Sequence, residues 1–524
     1  MNAAGGAVRE RRGLFAAAAL AVLTIAGCTA GSHAQPPAPS QSDPDGGTAV
    51  VGHGVHWRAC GRLNPRLRCG SIKVPLNYAR PAGRMITLAL TEVPATAPPG
   101  KRLGLLLVNP GGPGASGLPW AIYVAHSLSP PVAARYDIVG FDTRGVGSSV
   151  PSMHCDPGFF ARERPDYIPA NAAAERVLIG RARAYAADCE RKYGWLLPYM
   201  TTPNIARDMD RIRAAFGQPK LSFLAYSYGT YIGQVYATLF PHRVRRMVLD
   251  STVDPTGVWW ADNIAQDYAF QARMNAFYAW LARYDGAYHL GATAAQARRS
   301  WYAARARLAT QPIPNPGGPS IGPAEYDDTF GYGGYDDTAW PQLAAALAAY
   351  LNSGSTGQMI AAFDLLGKPN ENLFSVYNAV ECADAGWPRK WAYWDSATRR
   401  VYRSAPFEAW DNAWFNAACA FWPVHGPARP MRIGAHGLPG ILMLQGTLDA
   451  ATPYAGAQNA HRLLPTARMV VVPGSGIHGQ SLHVPPNRCV DGYLNRYLAT
   501  GALPSQPGLV NATCPALPDP APRG

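Results

Sequence analysis

Residues 221–230 read Leu221-Ser222-Phe223-Leu224-Ala225-Tyr226-Ser227-Tyr228-Gly229-Thr230. The first six make a short, largely apolar run of the kind that forms a buried strand, and a helix-compatible stretch continues from Thr230 to Leu239. A chain that passes from strand to helix at one residue forces strained backbone on that residue. It also requires small neighbours two positions away on each side, because strand and helix nearly touch there. Gly229 meets that requirement, and Ala225 exceeds it by one methyl. Ser227 is the residue left at the apex.

Five further apolar runs, each bounded by turn residues, read as buried strands: 103–108, 136–141, 246–250, 440–445 and 468–472. Two earlier runs, 71–76 and 85–93, alternate more strongly and suit an antiparallel beginning of the same sheet. Helical stretches such as 204–216 lie between the central strands. Strand and helix in repetition imply an α/β fold, a mainly parallel sheet with helices on both faces. The pattern lapses over 255–435, which is rich in Trp, Tyr and Ala, with helical spacing in 261–283 and 294–308 and a Gly/Asp/Tyr loop at 326–337. An inserted, mainly helical lid accounts for it. The expected division is a core in two parts, 59–254 and 436–515, around the lid, with a tail at 516–524.

Composition supports a packed protein. Of 524 residues, 48% are hydrophobic and only 15% charged, against about 25% charged in an average soluble chain. A length of this order allows about two to four domains, or one large domain with an insertion. The 53 glycines and 48 prolines follow no collagen period, so they mark turns and irregular loops. Net charge is +13, but the arginines are scattered among alanines and aromatics rather than gathered in a stripe, which argues against a nucleic-acid partner. A basic surface of this kind suits an anionic envelope.

The N-terminus indicates export. Arg9, Arg11 and Arg12 precede an apolar run over 14–26, too short to span about 30 Å of hydrocarbon and typical of a signal peptide. The run ends in Ile25-Ala26-Gly27-Cys28, similar to a bacterial lipobox, so residues 1–28 read as a lipoprotein signal with Cys28 as the lipidated residue. Arg11-Arg12 leaves open whether export is Sec or twin-arginine. Residues 29–58, rich in Pro, Ser, Gly and Asp, read as a tether. A membrane partner is therefore expected through Cys28, with the protein outside the cell membrane.

Beyond Cys28 there are eight cysteines, an even number that in an exported chain suggests disulfides. Sequence neighbours pair most economically as Cys60–Cys69, Cys155–Cys189, Cys382–Cys419 and Cys489–Cys514. No Cys-x-x-Cys or His-x-x-x-His spacing supports a metal site, and neither a metal nor an organic cofactor is implied.

The chemistry gathers at strand ends. After run 103–108 comes Asn109-Pro110-Gly111-Gly112-Pro113-Gly114, a stiff loop at the sheet edge where open α/β sheets bind ligands. Acyl transfer needs two fixed N–H donors where an oxyanion develops. Tyr228, following Ser227, would supply one. Because proline has no N–H, the second falls to Gly111 or Gly112, and Gly112 is chosen. A phosphate loop would need a lysine and a different glycine spacing. Asp449 follows run 440–445 and His478 follows run 468–472, so both stand on the edge that carries Ser227. In this arrangement His478 is the base for Ser227, and Asp449 orients its imidazole. Asp250 or Asp254 is the rival acid and His483 the rival base.

With Asn109–Gly117 (NPGGPGASG), 136–148 (YDIVGFDTRGVGS), 225–230 (AYSYGT), 446–453 and 476–479 quoted, the chain resembles the α/β-hydrolase superfamily. Within it, the resemblance is to exported tripeptidyl aminopeptidases related to prolyl aminopeptidases. The resemblance implies an α/β-hydrolase fold, Ser227, Asp449 and His478 as a catalytic triad, and release of di- or tripeptides from free N-termini of a peptide substrate. It also implies that the lid carries acidic groups that clamp the substrate amine, for which Glu381 and Asp384 are the candidates, with others in 326–337. Some members of this branch are carboxylesterases, so ester or peptide-metabolite hydrolysis is the alternative activity. A non-catalytic peptide-binding lipoprotein is the alternative of a different class.

Overall fold

A computed structural model describes residues 54–60, 66–161 and 163–522. The expected signal peptide, Cys28 and most of the expected tether lie outside the described residues. Ten strands form one sheet in the order β1-β2-β3-β5-β4-β6-β7-β8-β9-β10. They are β1 (His56–Ala59), β2 (Arg68–Pro75), β3 (Met85–Val93), β4 (Gly104–Asn109), β5 (Tyr136–Phe141), β6 (Leu221–Tyr226), β7 (Val244–Asp250), β8 (Ile441–Gly446), β9 (Ala467–Val472) and β10 (Ala512–Thr513). The first three are antiparallel, β3 meets β5 antiparallel, and from β5 to β10 every pairing is parallel. From β4 the chain crosses to β5 on one side and returns to β6 on the other, which opens a crevice at the carboxyl ends of β4 and β6.

Counting helices of eight residues or more, α1 (Leu118–Ser127), α2 (Ala172–Tyr193), α3 (Thr202–Ala215) and α4 (Tyr228–Leu239) precede β7. Seven lie between β7 and β8: α5 (Trp260–Arg283), α6 (Ala294–Thr310), α7 (Pro323–Tyr335), α8 (Trp340–Ser353), α9 (Glu371–Asp384), α10 (Trp391–Tyr402) and α11 (Ala409–Asn416). Then come α12 (Tyr454–Leu463) and α13 (Arg488–Thr500). Successive strand side chains face opposite ways, and here both faces are covered. Leu106, Val108, Leu224 and Val248 pack with Val124 of α1 and Leu494 of α13. Leu105, Leu107, Phe223 and Met247 pack with Met209 of α3, Ile232 of α4 and Ala460 of α12. Burying a side chain such as Phe223 is worth about 1.5–3 kcal/mol, so the two-sided core stabilises β6 strongly. The helices between β7 and β8 have an aromatic core of their own around Phe277, Trp280, Trp301, Phe330 and Trp340.

The stretch 326–337 is not a loop, as its Gly/Asp/Tyr composition suggests, but most of α7. Pro323 opens this helix, and Glu325 reaches back to the Gly322 N–H at 3.0 Å. Gly333 and Gly334 are helical because close packing needs them bare: a Cβ would lie 2.9 Å from Leu343 and 2.3 Å from Phe270. Tertiary contact overrides weak helix propensity here. All four disulfides are present, Cys60–Cys69, Cys155–Cys189, Cys382–Cys419 and Cys489–Cys514. Among the described residues no helix is long and apolar enough to cross a membrane.

Candidate active site

Strand β6 hands over to α4 at Ser227, whose backbone sits at φ 56°, ψ −131°. A non-glycine residue there is strained by about 1–3 kcal/mol. The turn is held by Ser227 N–H donating to Asp250 O (3.1 Å) and by Thr230 N–H donating to Ser227 O (2.8 Å). Gly229 lets the turn close. A Cβ on it would lie 2.7 Å from Asn109 Oδ1 and 3.3 Å from the Ala225 methyl, so the bare position at 229 makes room for the methyl at 225.

The glycine-rich loop after β4 lies directly against this turn. Gly111, Gly112 and Gly114 all have positive φ, which only glycine adopts freely. A Cβ on Gly111 would be 2.8 Å from the Ser227 Cβ and 3.0 Å from the Tyr228 amide nitrogen. Gly111 N–H donates to Asn109 Oδ1 at 2.9 Å, so that amide is already occupied, whereas Gly112 is the next amide along. Asp142, after β5, holds the loop's far end by accepting from Ser116 Oγ (2.6 Å) and Gly117 N–H (3.1 Å). The N–H groups of the first helical turn have no intrahelical acceptor, which leaves the Tyr228 amide at the head of α4 beside Gly111.

Asp449 and His478 meet. His478 Nδ1 lies 3.0 Å from both Asp449 oxygens. Asp449 is 2% exposed and also accepts from Ala451 N–H, Thr452 N–H and Thr452 Oγ1 at 2.9–3.0 Å. Burial lowers the His478 pKa, but the charge and hydrogen bond of Asp449, with the charge of Asp250, outweigh it and hold the imidazole above its ordinary value. The loop bearing His478 is tied to the end of β7: Gly479 N–H donates to Ser251 Oγ, and Gln480 and Ser481 donate to Asp250 at 2.7–2.8 Å. In register, Asp250 lies beside Tyr226, and Gly479 packs on the Tyr226 ring. These ties fix the His478 loop against the end of β7, where the Asp250 carbonyl also accepts from the Ser227 amide.

The rival residues are engaged elsewhere. The Asp250 carboxylate, pushed up to about 6 by burial, is occupied by the loop amides and Ser481 Oγ. Asp254 accepts from Thr256 and Asn459. His483 pairs with Asp336, Nε2 to Oδ2 at 3.1 Å.

A family model described as the alpha/beta hydrolase fold matches residues 104–483. The chain is 41% identical to the tripeptidyl aminopeptidase of Streptomyces lividans over 463 residues, covering 86% of this chain and 85% of that protein. It is 32% identical over 526 residues to serine protease Hip1 of Mycobacterium tuberculosis, covering 94% and 96%. It is also 32% identical over 486 residues to carboxylesterase B of Mycobacterium tuberculosis, covering 87% and 90%.

The chain belongs to the α/β-hydrolase family. Within it the chain falls in the tripeptidyl aminopeptidase-like group and is a serine peptidase.

In this α/β-hydrolase two of the helices between β7 and β8 touch the loops of the site. Tyr335, at the end of α7, accepts from His478 N–H at 2.7 Å and sets its ring edge-on at 5.5 Å from the imidazole. Helix α9 lies over the glycine-rich loop, with Leu373 O 2.6 Å from where a Gly114 Cβ would be. Leu373, Tyr377 and Glu381 follow at helical spacing on that side of α9.

The two acids named from the resemblance behave differently. Asp384 accepts from Thr202 N–H (2.7 Å) and Thr202 Oγ1 (2.5 Å), and Thr202 in turn bonds the Tyr228 hydroxyl at 2.6 Å. Asp384 thus holds the start of α3 and the ring of Tyr228. Glu381 is 3% exposed and its Oε2 has no hydrogen-bond partner. Burial above all raises its pKa well above the carboxylate range.

Sequence reading missed Glu408 and Asp411. Nearby, Arg164 pairs with Glu325 and Asp328, and Arg305 pairs with Asp166 and Asp327. Among the described residues neither Glu408 nor Asp411 has an ion pair. Burial, then the negative charges around them, push both well above the carboxylate range, with the Arg164 charge opposing this at Asp411. Both keep some accessible surface, as do Tyr335, whose hydroxyl is raised by burial and then by Glu408 and other acids, and Tyr377, whose hydroxyl is raised by burial and then by Glu381. On a sequence, two acids three apart in an aromatic helix read as a solvated face, and no signal there marks them.

Proposed function

We propose that this serine peptidase is an aminopeptidase that releases di- or tripeptides from free N-termini through an acyl-enzyme, with the helices between β7 and β8 as its lid. Ser227 Oγ attacks the scissile carbonyl while His478 Nε2 takes its proton. Asp449 holds the tautomer with the proton on Nδ1 and stabilises the imidazolium. The amides of Gly112 and Tyr228 receive the oxyanion. His478 then gives the proton to the leaving amine, the C–N bond breaks, and the acyl group remains on Ser227. Water, deprotonated by His478, attacks that ester and frees the peptide.

The observation that carries the reading is the 41% identity to a tripeptidyl aminopeptidase over 86% of this chain, and the half-buried acids Glu408 and Asp411 are the candidate anchors for the substrate amine. Desolvated carboxylates favour an incoming ammonium; Arg164 offsets part of the charge at Asp411, whereas only acids act on Glu408, and Glu381 adds a third acid on α9. N-acetylating a chromogenic tripeptide is expected to abolish its turnover. Glu408→Gln or Asp411→Asn should raise KM for the free peptide by about tenfold or more, the scale of about 1.5–3 kcal/mol for a hydrogen bond to a charged group, with a smaller change in kcat. Equal turnover of blocked and free peptides, or preference for simple p-nitrophenyl esters, would overturn the aminopeptidase reading in favour of an esterase.

The N-terminal residues support export and anchoring through a lipidated Cys28, with the envelope surface as the working location. Two acyl chains are needed for stable attachment, and a diacylglyceryl cysteine has them. Cys28→Ser should move the protein from the membrane fraction to the soluble one. An unchanged distribution would rule the anchor out.

A further inference from the structure

Three consecutive residues at the end of α7 and just beyond it hold the loop that carries His478. Tyr335 O accepts from the His478 N–H at 2.7 Å. Asp336 pairs with His483, further along the loop, Oδ2 to Nε2 at 3.1 Å. Asp337 pairs with Arg273 of α5, Oδ2 to Nη2 at 3.0 Å. The Arg273 guanidinium in turn lies on Gly476, where an added Cβ would stand 2.0 Å from Cζ, and over the Trp340 ring at 4.9 Å. One short segment of the inserted helices therefore grips the loop before the imidazole, at it and after it.

The surroundings of His483 specify its charge. Its Nε2 faces the Asp336 carboxylate and its Nδ1 faces the Pro485 carbonyl, each at 3.1 Å. Both are acceptors, and a neutral imidazole has a single N–H, so only the imidazolium makes both contacts together. The other Asp336 oxygen is engaged as well: Oδ1 accepts from Thr338 N–H (2.9 Å) and Thr338 Oγ1 (2.7 Å). Little water reaches the pair, whose side chains are 11% and 15% exposed. Burial pushes the His483 pKa down, but the hydrogen bond and charge of Asp336, then the Pro485 carbonyl and the charge of Asp337, hold it above its ordinary value. Asp491 of α13 also feels the His483 charge, while the Arg273 cation is engaged by Asp337. Tyr123 of α1, near the same acids, is pushed up to about 12, by burial above all, and stays neutral.

We propose that His483 in its charged form is a positioning residue for the catalytic base. By holding Asp336 it keeps residues 335–337 on the His478 loop, so the imidazole of His478 is set for proton transfer only while His483 keeps its proton. The inference rests on the reading of His478 as the base. Loss of the proton leaves either Asp336 without its donor or a nitrogen lone pair against the Pro485 carbonyl, and both loosen that end of the loop. Arg273, which keeps its charge, then holds the other end alone. Activity therefore falls as pH rises through the His483 pKa, on the alkaline side of the limb set by His478. The pair's contribution to stability has the same sense, complete below the unfolded imidazole value and fading as pH rises through the raised folded one.

The test is the pH dependence of inactivation by a neutral fluorophosphonate, which carries no amine and so reports only groups of the protein. The wild-type second-order rate should rise through the His478 limb and fall again on an alkaline limb above about 6.5. Asp336→Asn keeps an acceptor for Thr338 but removes the charge, and should move the alkaline limb down by about one pH unit or more with the acidic limb in place. His483→Lys stays charged to about pH 10 and should move the alkaline limb up by about two units. A packing role alone would change the rate at every pH and move neither limb. Should Asp336→Asn fail to fold, the upward shift in His483→Lys decides. A wild-type rate with no alkaline limb up to about pH 9.5, or a limb that neither substitution moves, overturns the proposal. His478→Ala separates the two readings. Reaction at the wild-type rate in that variant means that His478 is not the base, whereas reaction that needs His478 but ignores positions 336 and 483 sinks the positioning role alone.

Discussion

Ser227→Ala should abolish covalent labelling by a fluorophosphonate and lower kcat by about 10⁵–10⁶-fold. The effect is large because, in the proposed mechanism, nucleophile, base and orienting acid act as one unit, so loss of one member removes nearly all of what the three supply. Amides positioned for the oxyanion remain, and a residual rate about 10³–10⁴ above the uncatalysed reaction is expected from them and from binding. The variant should fold. The contacts that hold position 227 are backbone ones, to Asp250 O and from Thr230 N–H, and alanine keeps both. It keeps the strain at φ 56° as well, so Ser227→Gly should be the more stable variant by about 1 kcal/mol and equally inactive. Labelling that survives in Ser227→Ala would mean that another serine is the nucleophile.

The second large effect belongs to Asp449→Asn, which should lower kcat by about 10⁴-fold. Asparagine can still accept from the Ala451 and Thr452 amides, so the loop survives, but its NH₂ group set against Nδ1 favours the wrong tautomer of His478. The pH profile separates this from a folding defect. His478 must be unprotonated to act as base, so kcat/KM should rise with pH through the imidazole pKa. Burial pushes that pKa down, but the charge and hydrogen bond of Asp449, with the charge of Asp250, set it above the ordinary imidazole value, so the wild-type acidic limb should lie above about 6.5. Without the Asp449 charge the burial effect prevails and the limb should move to lower pH. Stability has the opposite sense. The charged pair contributes fully below the unfolded imidazole pKa, and its contribution fades as pH rises through the raised folded value. An Asn variant within tenfold of wild type, with its limb unmoved, would point to Asp250 as the working acid.

Much of this arrangement was readable in advance because it depends on local rules. Strands 103–108 and 221–226 are short apolar runs closed by turn residues, and Gly229 is required wherever a strand folds back into a helix at one residue. The order of Ser227, Asp449 and His478 along the chain, each just past a strand, already placed them on one edge of a parallel sheet. The four cysteine pairs were the nearest neighbours along the chain, where loop closure is easiest. The stretch 326–337 was misread for the opposite reason: its glycines are helical only because Phe270 and Leu343 press against them from other helices.

The substrate-facing half of the site has no such local signature. Glu381 and Asp384 sit three residues apart on one helix and are indistinguishable by composition, yet Thr202 occupies one and leaves an oxygen of the other unpaired. Glu408 and Asp411 would pass for solvated acids, but packing desolvates both among other acids, and only Asp411 has an arginine charge, that of Arg164, acting on it. Local sequence specifies backbone conformation and hence where a catalytic group stands on its strand. Whether a charge is compensated depends on every element that surrounds it, and that is a property of the assembled fold.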